Sequence, residues 1–154
     1  MNRTASFARL CFALIQIAVD LPALAQTCAN PTAIVSAGTL TGNTCASANQ
    51  LPYLVNGAIS TQGNQDVYLI HTSNPGPIFL SVQPNASVDM ALFVCRNQCS
   101  TYATCVAAFD PGVAGTAVGA TLPAAPGDYY IIVGTSSPAT CGQYTLTVAP
   151  QLND

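Results

Sequence analysis

The sequence predicts an all-β fold, an antiparallel sandwich or jelly roll of about eight strands braced by disulfides. Two observations carry that prediction. Short apolar runs recur at intervals near ten residues, punctuated by Gly, Pro, Asn and Ser, which leaves no room for a long helix. Six cysteines follow residue 25, an even number suited to a disulfide framework.

Taken in order, the strands are expected at 53–59, 66–71, 78–83, 88–95, 104–109, 117–122, 128–134 and 143–148. In Gln143-Tyr-Thr-Leu-Thr-Val148 apolar and polar residues alternate, so one face meets a core and the other meets water. Tyr129-Tyr-Ile-Ile-Val133 is apolar at every position, the mark of a central strand covered on both faces or shielded by a loop. Turn chemistry separates the runs at Gly63-Asn64, Asn74-Pro-Gly-Pro77, Pro111-Gly112 and Ala125-Pro-Gly127.

Ahead of these strands lies an export signal. Arg3 and Arg9 precede an apolar run from Leu10 to Val19, and Ala23-Leu-Ala25 offers the small residues that a signal peptidase reads. The run is broken by Gln16, Asp20 and Pro22 and falls short of the roughly twenty residues a spanning helix needs, so no membrane span is expected. Cys11 sits inside the run, which argues against a lipidated new N-terminus. Residues 1–25 are therefore assigned as a signal peptide, 26–50 as a disulfide-tied N-terminal arm, and 51–154 as the sandwich. A secreted or periplasmic protein follows.

Composition limits the function classes. Beyond residue 25 the side chains carry one arginine, no lysine, five aspartates and no glutamate, about −4 in all. Nucleic-acid binding by counterion release needs clustered Lys and Arg, and only Arg96 remains. Anionic membrane surfaces are excluded by the same count. The six cysteines are Cys28, Cys45, Cys95, Cys99, Cys105 and Cys141. Cys28 with Cys45 would tie the arm to itself. Cys95 and Cys105 flank a polar loop and suit a cross-hairpin bridge, which leaves Cys99 for Cys141. Paired C-x-x-C knuckles are missing, so a zinc site is disfavoured.

Several short motifs in order then match a known pattern. Asp66-Val-Tyr68, Val88-Asp-Met-Ala-Leu-Phe93, Pro126-Gly-Asp-Tyr-Tyr-Ile-Ile-Val133 and Gly142-Gln-Tyr-Thr-Leu-Thr-Val148 resemble those of a bacterial pre-peptidase C-terminal (PPC) domain. The resemblance covers residues 54 to 149. It implies a compact antiparallel β-sandwich, close in fold to collagenase collagen-binding domains, serving secretion, stability or substrate attachment and not bond cleavage. The arm 26–50 has no counterpart in that motif set, and is expected to pack on a sheet edge and blunt it.

The chemically active residues are few. His71 is the lone histidine, and no Gly-x-Ser-x-Gly elbow surrounds any serine, so a hydrolase built on His71 with Asp66 or Asp89 is disfavoured and no enzyme is expected. Asp66 and Asp89, with Asp128 or a backbone carbonyl, are the acids that would ligate calcium. The alternative, favoured here, is that they cap turns through backbone amides. No other cofactor is implied. Tyr53, Tyr68, Tyr102, Tyr129, Tyr130 and Tyr144 offer aromatic faces, and Tyr102, beside Arg96 and Asn97 in the polar loop, is the one most expected to be exposed. The expected role is a non-enzymatic accessory or binding module contacting proteins or the cell-envelope surface. The competing role is an inhibitor or effector whose loop Arg96 to Thr104 enters a partner's cleft.

Overall fold

A computed structural model describes residues 26–149 apart from 136 and 139. The expected signal peptide and the last five residues of the expected sandwich lie outside the described residues. Among the described residues eleven strands are formed: β1 (Thr32–Ala33), β2 (Gly38–Asn43), β3 (Tyr53–Leu54), β4 (Ile59–Ser60), β5 (Gln65–Thr72), β6 (Gly76–Pro84), β7 (Ala91–Arg96), β8 (Cys105–Phe109), β9 (Val118–Ala124), β10 (Gly127–Gly134) and β11 (Gln143–Ala149). A 3₁₀ turn, Thr44–Ala46, follows β2.

Two sheets face each other. One has the order β1-β5-β10-β7-β8 and the other β2-β11-β6-β9, with β3 and β4 forming a separate small hairpin. All pairings in the two large sheets are antiparallel except β1 with β5. The alternation along β11 does what its sequence requires: Tyr144, Leu146 and Val148 are buried while the residues between them reach the outer face. The same period puts Ile78, Leu80 and Val82 of β6, and Val118, Ala120, Leu122 and Ala124 of β9, into one core with Ile70, Leu92, Val94, Ile131 and Val133 of the opposite sheet.

Strand β10 is covered on both sides, as its unbroken apolar run predicts. Tyr129, Ile131 and Val133 face the inter-sheet core. Ile132 on the other face joins Val67, Phe93 and Cys95 in a second core, roofed by Leu51 and Leu54 at the β3–β4 hairpin and by Ala103 of the segment between β7 and β8. A buried polar residue fixes that roof. The carboxamide of Gln65 accepts from Leu51 N–H at 3.0 Å, and its Nε2 donates to the carbonyls of Leu51 at 3.0 Å and Thr61 at 3.1 Å. Every hydrogen-bonding atom that Gln65 takes out of water is thereby matched.

The structure corrects the sequence expectations in three places. The segment 53–59 is not one strand but the β3–β4 hairpin, reversed at Val55, Asn56 and Gly57 with φ of 52°, 55° and 83°. Asn-Gly is the dipeptide that such reversals favour. The strand expected from Val88 begins at Ala91, because Val88 N–H donates back to Asn85 O in a turn. The disulfides also differ. Cys95–Cys105 forms as expected, but the other pairs are Cys28–Cys99 and Cys45–Cys141, not Cys28–Cys45 and Cys99–Cys141.

Sheet register explains that pairing. The arm contributes an edge strand to each sheet, so Cys28 and Cys45 belong to different layers. Asn43 lies opposite Gln143 in the β2–β11 ladder, and antiparallel running then brings Cys45 beside Cys141. Cys28, ahead of β1, packs with Cys99 against the roof of the second core.

Candidate binding site

The roof of the second core carries the most exposed aromatic feature of the described residues. Tyr53 and Tyr102 are stacked, with ring centroids 5.8 Å apart and planes 8° from parallel. They are 39% and 57% exposed. Tyr102 N–H donates to Tyr53 O at 2.9 Å and Val55 N–H to Ala103 O at 3.0 Å, so the hairpin and the loop are joined through their backbones. Thr104 Oγ1 adds a bond to Asn56 Oδ1 at 3.2 Å. Tyr102 has φ of 69°, a left-handed conformation that a bulky side chain rarely takes. Gly57 makes room for it: a Cβ there would stand 3.0 Å from the Tyr102 ring. Disulfides Cys28–Cys99 and Cys95–Cys105 clamp the loop within and at its end.

Arg96 and Asn97 do not join this platform. Asn97 exchanges bonds with Asp128, donating N–H to its carbonyl at 2.7 Å and accepting its N–H on Oδ1 at 2.9 Å. Arg96 Nη2 donates to Pro126 O at 2.7 Å, and its guanidinium lies 5.9 Å from the Tyr129 ring centre. In the ladder Arg96 stands opposite Tyr129, and Cys95 opposite Tyr130. Arg96 thus shares the side of β7 that faces away from the roof, where it borders an apolar cleft of about 310 Å³ with Val106, Phe109 and Leu122.

The aspartates are dispersed. Asp66 is buried and accepts from Tyr144 Oη at 2.6 Å and from Ser47 Oγ. Tyr144 donates its proton to Asp66, so the 2.7 Å contact between the two tyrosine oxygens is a bond from Tyr68 to Tyr144. Burial pushes the Tyr68 and Tyr144 hydroxyls above their ordinary range, and both stay neutral donors. Asp66 therefore binds side-chain hydroxyls and not the turn amides expected of it. Asp89 precedes β7, and burial, with Asp110 nearby, raises its carboxyl above 3.8. Among the described residues no three of His, Cys, Asp and Glu gather where they could hold a metal ion.

His71 pairs across the sheet with Asp128, Nδ1 to Oδ1 at 2.7 Å, and the two are register partners on β5 and β10. The His71 side chain is largely in water and that of Asp128 is half-buried. Beside the buried Asp66 lies a polar cavity of about 430 Å³, walled by residues of the arm and of β11, among them Gln26, Asn43 and Tyr144. Gly42 is required here, because any Cβ would stand 2.2 Å from the Tyr144 ring.

No protein-family model and no curated protein sequence matches this chain. Solved structures do match. The pre-peptidase C-terminal domain of a collagenase from Bacillus anthracis superposes with a TM-score of 0.53 at 20% identity, covering 77% of this chain and 93% of that one. The fold is that of a PPC domain. The likeness read from the sequence motifs is thus a likeness of architecture. A periplasmic inhibitor of g-type lysozyme, Aeromonas hydrophila PliG, aligns at 0.48 with 15% identity over 78% of this chain and 95% of its own. The Yersinia pseudotuberculosis mitogen aligns at 0.47 with 13% identity over 79% and 91%. In the present chain three disulfides brace this sandwich, and the arm supplies an edge strand to each sheet. Among the described residues no helix is long and apolar enough to cross a membrane.

Sequence reasoning named Tyr102 and listed Tyr53 among the aromatic candidates, but did not bring them together. The signal was Asn56-Gly57, a turn whose glycine leaves room for the Tyr102 ring beside Tyr53.

Proposed function

We propose that this protein is an exported, non-enzymatic binding module that holds a protein partner at the cell envelope through the Tyr53–Tyr102 platform. The stacked pair is the observation that carries the reading. Tyrosines supply large contact area with little side-chain entropy to lose, and are enriched where interfaces concentrate their energy. Here both rings are already ordered in the free protein, which lowers the cost of docking. Left-handed Tyr102 is the kind of backbone outlier that surroundings must over-determine, and such outliers cluster at functional sites.

Three disulfides support an extracellular or periplasmic location, since such bonds persist in oxidising compartments. His71 hydrogen-bonds to Asp128 among the described residues, an arrangement that fits a surface cross-strand pair. The inhibitor or effector role is the second reading. It is favoured by the two disulfides that hold the 96–104 loop, because a rigid loop enters a cleft at low entropic cost.

Capture of envelope and secreted proteins by the oxidised exported protein tests the proposal. A specific partner retained by wild type and weakened about thirtyfold by Tyr102→Ala, the effect of losing one anchor residue, is expected. A partner bound equally by Tyr53→Ala and Tyr102→Ala variants would overturn it.

A further inference from the structure

At one side of the sandwich the last strands of the two large sheets, β8 and β9, come together, and the 310 Å³ cleft opens between them. Its walls are apolar: Val106, Ala107 and Phe109 come from β8, Leu122 and Pro123 from β9. Tyr129 also lines it, and its hydroxyl is already engaged, accepting from Ala125 N–H at 2.9 Å and donating to Ala125 O at 2.8 Å. Only the ring is left to meet a ligand. Strict alternation along β8 would turn Val106 away from Ala107 and Phe109. A bulge prevents that: the β7–β8 register steps from Cys95–Cys105 to Val94–Ala107, so Val106 has no partner in the ladder and joins the cleft wall. Val106 and Phe109 stay exposed there, and β8 carries no charged residue to blunt its edge.

A single charge stands at this cleft. Arg96 lines it, and among the described residues no carboxylate does. The one ion pair among those residues joins His71 to Asp128, so Arg96 enters none. Its side chain spends one donor on Pro126 O at 2.7 Å and keeps the rest of its fork. A guanidinium tethered at one point and otherwise free is preorganised for a carboxylate, which it can grip through two parallel bonds. An apolar trough that ends at a cation fits a molecule with an apolar tail and an anionic head: burying the tail drives binding, and the ion pair fixes its direction. The volume lies at the low end for small-molecule sites, which suits one unbranched chain.

We propose that the β8–β9 cleft binds a free fatty acid of medium chain length, its tail laid between Val106, Phe109 and Leu122 and its carboxylate held by Arg96. The site is independent of the tyrosine platform, since Arg96 projects from the side of β7 that faces away from the roof.

Titration of the oxidised exported protein with decanoate at neutral pH, followed by amide chemical shifts, tests it. Saturable shifts at Val106, Phe109 and Tyr129 are expected, with decanol bound about tenfold more weakly because it lacks the charged head. Arg96→Gln should lose about tenfold for decanoate by the same reasoning while binding decanol as wild type does, which a collapsed cleft would not. Should Arg96→Gln fail to fold, Val106→Asp decides, since that side chain is exposed and outside the ladder: it should keep its melting temperature and bind decanoate several-fold more weakly, because a fixed carboxylate then faces the ligand's own. Equal affinity for decanoate and decanol, shifts elsewhere than this cleft, unchanged affinity in Val106→Asp, or no saturation below the onset of decanoate micelles would overturn the proposal.

Discussion

Tyr102 holds a backbone conformation that works against its own side chain, since left-handed φ costs an L-residue about 1–2 kcal/mol. Replacing it by glycine removes that strain but adds chain entropy in the unfolded state and deletes the stack on Tyr53, so Tyr102→Gly should change unfolding free energy by no more than about 1 kcal/mol. Partner capture should nevertheless be lost. Urea unfolding and capture measured on the same variant separate the two effects. Asp89 makes the opposite kind of prediction. Its folded carboxyl lies above the ordinary value of 3.8, so the native state holds the proton more tightly than the unfolded chain. Its contribution is full below that value and is lost as pH rises through the raised one. Asp89→Asn should therefore raise the melting temperature at pH 7 relative to wild type, with the gain vanishing under acid conditions. His71→Ala should leave both melting and capture nearly unchanged, because the His71 side chain is largely in water and an exposed pair of this kind contributes little.

Elements were legible where their residues obey a single period. β6, β9 and β11 alternate in burial, and β10 holds the unbroken apolar run Tyr129 to Val133, so all four stand within two residues of the sequence expectation at each end. β1 and β2 were missed because Thr32–Ala33 and Gly38–Asn43 bury little and are strands chiefly by pairing with β5 and β11. The disulfides failed for the same reason: without β2 there is no register to set Cys45 against Cys141. Peptide mapping of the unreduced protein should recover Cys28 linked to Cys99 and Cys45 to Cys141. Removing the latter pair by Cys45→Ala/Cys141→Ala, which closes a separation of 96 residues, should cost about 4–5 kcal/mol in urea unfolding. The roof was unreadable because its anchor is a polar residue: Gln65 in a strand reads as solvent-facing until its three bonds to Leu51 and Thr61 are seen. Gln65→Leu leaves the buried Leu51 N–H without its partner, while the Leu51 carbonyl keeps the Thr61 hydroxyl, and should cost about 1–3 kcal/mol.

At the scale of the whole molecule, the scaffold is a two-core sandwich in which one sheet is wet on its outer face and the other is roofed. The roof is a two-residue-strand hairpin and a loop, so its order depends on Gln65 and on two disulfides, and it carries the stacked tyrosines outward. The wet face offers a built-in control, since Phe79 on β6 is about as exposed as Tyr53, at 41%. A photo-crosslinking side chain placed singly at position 102, 53 or 79 of the exported protein compares the two faces directly in the intact cell envelope. A discrete protein adduct from 102 and 53, with none from 79, is the predicted result; adducts from 79 alone, or none from 102 and 53, would contradict a binding module built on this platform.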